Sequence, residues 1–421
     1  MATKRKGGPS RTTAGSSRGA SILIRMYRVG FGDCFLVTLD DRYHILVDCG
    51  VHNKGNVKVG NTSLIDLAFQ DIKEVSGGKL DIVIATHAHQ DHVSGYGKFA
   101  AEFRKFDRIG EVWMPWTDDP SDARARSWHV KKQKMLGLLS LQLRARADSE
   151  AMAAVENAGP NPAAMQALRD GFGKGKVRYL KAGAELDAPA DIAGFTAKIL
   201  GPSDDQDFLA KMDPPGSDHY LRMAAAKQSG AGTHPFAGWE LAKTDLLPAW
   251  PQLKPDTIKL MADSLQFPAR AVAFSLDKFL NNTSIVALFS WKGKHLFFPG
   301  DAQYGDWISW YRKSGSEVLS DISFYKVAHH GSWNATPRGA VELMPQGRFA
   351  AMMSTQNVPW ASIPRPALEK ALDARAGGAL MRSDSLEVKD APSGPKIGTL
   401  PKGFQSGNPA KSQYWIDYTI G

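Results

Sequence analysis

The chain has 421 residues, 43% hydrophobic and 23% charged, with a formal net charge of +9. That composition fits a soluble globular protein with one large core or two smaller ones, and it excludes a fibrous or low-complexity chain. Two cysteines, Cys34 and Cys49, are too few for a disulfide framework or a Cys-x-x-Cys metal knuckle, and no apolar run reaches membrane-spanning length; a cytoplasmic protein with reduced thiols and no membrane contact is expected.

Residues 1–20 carry Lys4, Arg5, Lys6, Arg11 and Arg18 with no acid, so they read as a disordered basic tail, and the remainder is only mildly basic. From residue 21 to 50 the β-branched runs SILIRMYRV, CFLVTL and YHILVDCG predict a strand meander, with turns at Gly30-Phe31-Gly32-Asp33 and Asp40-Asp41. Asp48 closes the third run, where a carboxylate either caps a loop or orients a ligand histidine through its second N–H. LIDLAFQDIKEV has helical spacing and leads into LDIVIAT, a short buried-strand pattern.

Directly after that strand stands His87-x-His89-x-Asp91-His92, four potential metal ligands within six residues. His87 and His89 alternate and share a direction, while Asp91 and His92 enter the helical pattern SGYGKFAAEFRKF. Imidazole and carboxylate are the donors borderline divalent ions take, so the cluster points to metal rather than to satisfied core histidines.

IGEVWMPW is a further strand, so the first part of the chain is layered α/β. Residues 118–175 then read as a helical insertion, one long basic helix through residue 158 and a second, AAMQALRDGF; its Arg124, Arg126, Lys131, Lys132, Lys134, Arg144 and Arg146 either frame an anionic groove or form a solvated face. After strands KVRYLKAG and FTAKILGP, residues 203–280 look like a loop-rich insertion holding the isolated His219 and His234. TSIVALFSW and HLFFPGDAQ predict a hairpin ending at Gly300-Asp301, ISFYKVAHHGSW a strand ending at His329-His330, and FAAMMSTQ, PRPALEKALDARA and YWIDYTI a strand, a helix and a strand. Lys326 sits on an apolar strand and reads as structural; Ser332 either bonds phosphate or its own turn.

Asp48, the His87-x-His89-x-Asp91-His92 loop, Gly300-Asp301 and His329-His330-Gly331-Ser332, in this order and all at strand ends, resemble the metallo-β-lactamase-fold hydrolases over residues 21–421. RVGFGDCFLV, NNTSIVALFSWKGKHLFFPGD, KVAHHGS, STQNVPWASIPRPALEKAL and MRSDS are most similar to the hydrolase domain of ComEC-type DNA-uptake proteins. The resemblance implies a four-layer αββα sandwich of mixed α and β structure and two divalent ions, Zn²⁺ or Mn²⁺. His87 and His89 would hold one ion and Asp91 and His92 the other, with Asp301 bridging and one of His329 and His330 completing the ligand set of the second ion. The remaining histidine of that pair would touch substrate. Where many members have a histidine, Asn281 and Asn282 stand here, so the first ion lacks an imidazole and is expected to bind more weakly, completed by water or an asparagine oxygen.

The function so implied is a metal-dependent phosphodiesterase or nuclease acting on an anionic substrate, nucleic acid or nucleotide, through water activated between two ions. Asp91 and the 329/330 pair are the catalytic candidates. Two other readings compete: a small-molecule ester, lactone or phosphorylcholine-type hydrolase with Trp113, Trp116, Trp307, Trp310 and Trp333 lining its pocket, and a non-catalytic binding protein that keeps metal as a structural element.

Overall fold

The computed structural model describes residues 21–145, 148–211, 213 and 269–421; the basic tail, Arg146, His219 and His234 lie outside them. The meander is formed by β1 (Ile22–Tyr27), β2 (Cys34–Leu39) and β3 (Tyr43–Cys49), each antiparallel to the next. After a short hairpin of β4 (Lys58–Val59) and β5 (Thr62–Ser63), β6 (Lys79–Ile84), β7 (Arg108–Pro115) and β8 (Lys176–Leu180) continue the same sheet in parallel.

A second sheet runs β9 (Glu185–Asp187), β10 (Phe195–Gly201), β11 (Val286–Trp291) and β12 (Lys294–Phe298), all antiparallel, then β13 (Phe324–Lys326), β14 (Ala350–Met353) and β15 (Leu380–Arg382), all parallel. The C-terminal β16 (Phe404–Ser406) and β17 (Trp415–Ile420) return to the first sheet, β17 pairing antiparallel with β1.

Strand periodicity builds the layers. Phe35, Val37, Ile45, Val47, Ile82 and Ile84 point inward to meet Ile199, Phe289, Phe298 and Phe324 of the other sheet. Their neighbours Leu36, Leu46 and Val83 point outward onto the helices Leu64–Ser76 and Gln90–Lys98, through Ile65, Phe69, Ile72, Val93 and Tyr96. Strands buried on both faces are apolar at most positions, which is why β2, β3 and β6 read as near-continuous runs rather than alternating ones; the buried Thr38, His44 and Asp81 among them are hydrogen-bonded. On the far side Phe297, Tyr325 and Ala351 pack under Trp307, Trp310 and Leu319 of the helix Tyr304–Leu319 and Leu368 and Leu372 of Pro366–Arg375. The result is the four-layer αββα sandwich.

Two segments differ from the sequence reading. The long basic helix is two, Ala123–Ala145 and Ser149–Asn157, because the Asp148 side chain accepts the Ala151 N–H at 3.0 Å and starts a new helix. Within the stretch read as loop-rich, residues 269–281 form the helix Ala269–Asn281; its Ala269, Ala273 and Leu276 pack on Leu136, Leu139, Met152 and Val155 of the two preceding helices. The Gly, Pro and Asp content before it masked a helical apolar stripe.

Candidate metal centre

Asp48 anchors the site from below. Near the end of β3 and with φ +56°, it accepts the Thr86 N–H at 2.8 Å, the Thr86 hydroxyl at 2.7 Å and the His92 Nδ1–H at 2.7 Å. Burial is the largest influence on Asp48 and raises its pKa. Because the Thr86 hydroxyl is spent on Asp48, its oxygen accepts from His87 Nδ1, 3.1 Å away. Both contacts leave Nε2 of His92 and of His87 free to face the cluster. The loop fits this closely over β3 because residue 50 is glycine: a Cβ there would lie 2.4 Å from the His92 nitrogen.

His89 caps the helix Gln90–Lys98 and Asp91 stands in its first turn, where the helix dipole favours a carboxylate. Asp91 Oδ2 lies 3.2 Å from His330 Nε2, and its Oδ1 is buried without a partner. Asp301 follows Gly300, whose φ of +56° and 3.0 Å approach to the Thr86 and Ser284 side chains admit only glycine without strain. Its Oδ2 is 3.0 Å from His92 Nε2, 3.2 Å from His330 Nε2 and 4.0 Å from His329 Nε2.

His329 and His330 occupy consecutive left-handed conformations, φ +47° and +53°, which non-glycine residues rarely adopt and which aim the two rings differently. His330 turns inward, with Nδ1 2.9 Å from the Ser354 carbonyl and its ring against Phe31. Asp91, His92, Asp301 and His330 thus offer donor atoms all within 4.8 Å of one another, and His330 rather than His329 completes the quartet. His329 is turned toward Asn281, whose Nδ2 is 3.4 Å from its Nε2. His87 and His89 converge separately, with His87 Nε2 3.0 Å from His89 Nδ1.

The residues fit a divalent metal. Donor atoms bonded to one ion at about 2.1 Å lie roughly 3–3.5 Å apart, the spacing these nitrogens and oxygens show, and His92 Nε2 and Asp91 Oδ1 have no hydrogen-bond partner in the protein. Carboxylates and imidazoles also divide the protons unevenly. Burial opposes ionisation of Asp91 and Asp301, but His92 and His330 beside them, with Lys326 beside Asp301, hold both carboxyls below the usual range. Burial likewise opposes protonation of His92 and His330, yet Asp301 and its neighbouring carboxylates outweigh it, pushing His92 well up and His330 up to about 10. Around His87, His89 and His329 burial wins: His89 falls to about 3 and His329 to about 4.

Two further residues belong to the centre and were missed. Lys326, read from sequence as a structural strand residue, is fully buried and donates to Asp33, to Asp301 Oδ1 at 3.1 Å and to the Gly300 carbonyl at 2.9 Å. It occupies one oxygen of Asp301 and leaves the other for the cluster. Asp33, from the Gly30-Phe31-Gly32-Asp33 turn, lies beneath both inward histidines, 3.7 Å from His92 Nδ1 and 3.5 Å from His330 Nδ1. Lys326→Met is therefore expected to cost the metal-free protein about 3–5 kcal/mol, because two buried carboxylates lose their cation. A lowered denaturant midpoint with unchanged slope would register this; an unmoved midpoint would show that the lysine is not paired.

Other expected site residues are placed elsewhere. Asn282 donates to the Leu209 and Lys211 carbonyls and accepts from the Gln303 N–H, each at 3.0 Å, so its amide pins a loop and is not offered to substrate. The Ser332 hydroxyl donates to Asn334 within its own turn. Trp113 is buried between the sheets, Trp307 and Trp310 on the inner face of the outer helix, and Trp116 against Leu209 and Phe279, so these four pack the protein and do not line a pocket; Trp333 is half-buried near Lys278.

This four-layer sandwich, with metal donors gathered from successive strand ends, is the metallo-β-lactamase fold. Residues 27–129, which contain Asp48 and the metal loop, match the model of the Metallo-beta-lactamase superfamily. Solved structures that match include a protein of Parabacteroides distasonis described as a metal-dependent hydrolase, at 12% identity and TM-score 0.32 over 85% of this chain and 92% of that one. Another is Igni18, a metallo hydrolase of Ignicoccus hospitalis, at 10% identity and TM-score 0.36 over 86% and 94%. No curated protein sequence matches the chain. Among the described residues no helix is long and apolar enough to cross a membrane.

Proposed function

We propose that the protein is a metal-dependent phosphodiesterase, acting on nucleic acid or a nucleotide. The observation that carries the reading is the single Asp301 oxygen lying 3.0 Å and 3.2 Å from the inward nitrogens of His92 and His330, beside Asp91. Asp91, His92, Asp301 and His330 would hold one ion, and His87 and His89 would begin the set for another. When bound, a pair of divalent ions such as Zn²⁺ or Mn²⁺ supplies an acidified water and a clamp for phosphoryl oxygens.

The chain's own groups do the rest. Asp91 and Asp301, kept ionised by His92 and His330 beside them, would hold the ion and accept hydrogen bonds at the reacting side. His329, neutral and partly open to solvent, presents its imidazole where a phosphoryl or leaving-group oxygen would sit. Lys132 stands near enough for its charge to be felt at His89, and Arg144 lines a cavity of about 420 Å³ with Asn53 and Gln90, the latter one residue before Asp91. Lys132 at that side supports an anionic substrate, while Arg144 shares its cavity with Glu156. The likeness of RVGFGDCFLV and KVAHHGS to ComEC-type domains supports nucleic acid in particular.

The test is hydrolysis of a bis-aryl phosphodiester by metal-stripped protein reloaded with Zn²⁺ or Mn²⁺, beside Asp91→Ala. Turnover that returns with metal and is absent in the variant is expected. With a nucleic-acid substrate kcat/KM should fall by on the order of tenfold or more between about 50 and 200 mM salt, through counterion release. Folded, loaded protein that cleaves no phosphodiester would sink the reading.

A further inference from the structure

In each inward-facing histidine of the centre, one nitrogen faces the cluster and the other is held from behind. Asp48 holds His92, Thr86 holds His87 and the Ser354 carbonyl holds His330, always at Nδ1. Such backing fixes the tautomer and the ring plane, and so decides which lone pair an ion meets.

His89 is reversed. Its Nδ1 lies 3.0 Å from His87 Nε2 and faces the cluster, so Nε2 points away. That Nε2 is buried, with the side chain 1% exposed, and has no hydrogen-bond partner; 3.7 Å from it is Asp277 Oδ1, which also has none. Two complementary buried atoms left unpaired at this separation are costly, and an inward shift of under 1 Å would join them.

Asp277 is well held for the task. It follows Leu276 and lies one helical turn after Ala273, both packed on the neighbouring helices, which brings its carboxylate to the metal loop. Asn157 lies beside it, where its amide partly counters the effect of burial on the Asp277 carboxyl, and it accepts the Asp91 N–H at 3.2 Å. Burial first, then the nearby Asp91 and Asp301, pushes the Asp277 carboxyl well above the usual carboxylate range, an unfavourable grouping of acids until a cation lies among them.

We infer that Asp277 is the positioning partner of His89: it accepts the Nε2–H and leaves Nδ1 as the lone pair that, with His87 Nε2, receives the first ion. This rests on the metal-centre reading of the site but not on any substrate.

The experiment is a Zn²⁺ titration of metal-stripped full-length protein against a competing chelator, in an Asp91→Ala background that weakens the second set, with each site's affinity fitted separately. Adding Asp277→Ala is expected to weaken the affinity of the His87–His89 site about 10–100-fold, and Asp277→Asn, whose amide oxygen can still accept, by less. Circular dichroism and thermal melting of the metal-free variants, unchanged by either substitution, separate this from a folding defect. Equal affinities with and without Asp277, loss of affinity only in step with loss of fold, or no Zn²⁺ uptake by the Asp91→Ala protein would each overturn the inference. Phosphodiester turnover by otherwise wild-type protein is scored separately, so failure here and failure of the proposed reaction are distinguishable.

Discussion

Asp301→Ala is expected to lose metal from both donor sets and to lower turnover by about 10³-fold or more. Its carboxylate is shared among four groups of the centre: one oxygen faces His92, His330 and His329, and the other accepts from Lys326. Removing it leaves Lys326 with Asp33 and the Gly300 carbonyl and takes from His92 and His330 the oxygen they share. Asp301→Asn keeps the shape and removes the charge, so comparing the two variants separates packing from electrostatics. Metal content by elemental analysis and phosphodiester turnover, on protein shown to be folded, are the two readouts. An Asp301→Ala protein that kept both its ions and its rate would mean that this carboxylate is not the shared ligand.

What the sequence disclosed and what it hid follow from the same cause. His87, His89, Asp91 and His92 are legible because one loop carries them all, and a loop after a buried strand has little structural use for four such donors. Asp48, Asp301 and His330 are legible more weakly, as polar residues ending apolar runs. The strands themselves are plain because burial on both faces leaves no alternation to confuse with a helix. The return of β17 to pair with β1 has no local signal, since it depends on residues almost 400 positions apart. Asp33, Lys326 and Asp277 were hidden for a related reason. Each sits in a segment that looks complete by itself, a glycine turn, an apolar strand and a stretch dominated by loop-like composition. Only the packing of three distant segments around one point shows that an ammonium lies between two carboxylates, and that a third carboxylate backs a histidine. Strain was equally invisible: nothing in AHHG announces two consecutive left-handed histidines, yet that backbone sends His330 to the metal donors and His329 to the open side.

The uneven division of protons gives the two donor sets different pH dependences. In the metal-free protein His87 and His89 are held below the usual imidazole range by burial, so they are neutral at pH 7 and an ion arriving there displaces no proton. Asp91 and Asp301, held low, are ionised as well. His92 and His330 are the exception: their pKa values are raised above the ordinary 6.5, to about 10 for His330, so both carry protons that an ion must displace. Affinity of the second set should therefore rise with pH by up to about tenfold per unit for each proton released, as much as about 100-fold per unit between roughly pH 6.5 and 9, while the first set stays nearly flat. The same raised values act on folding with the opposite sign. The imidazoliums stabilise the metal-free fold fully below the unfolded pKa near 6.5, and that contribution is lost as pH rises through the folded values. Metal-free protein should lose stability toward about pH 10 while metal-loaded protein does not, because the ion takes over the charge that the protons supplied. Chelator competition at several pH values, with denaturant unfolding of both forms, measures the two effects together. A pH-independent second affinity would show that His92 and His330 are already neutral, and that Lys326 alone balances the carboxylates beneath them.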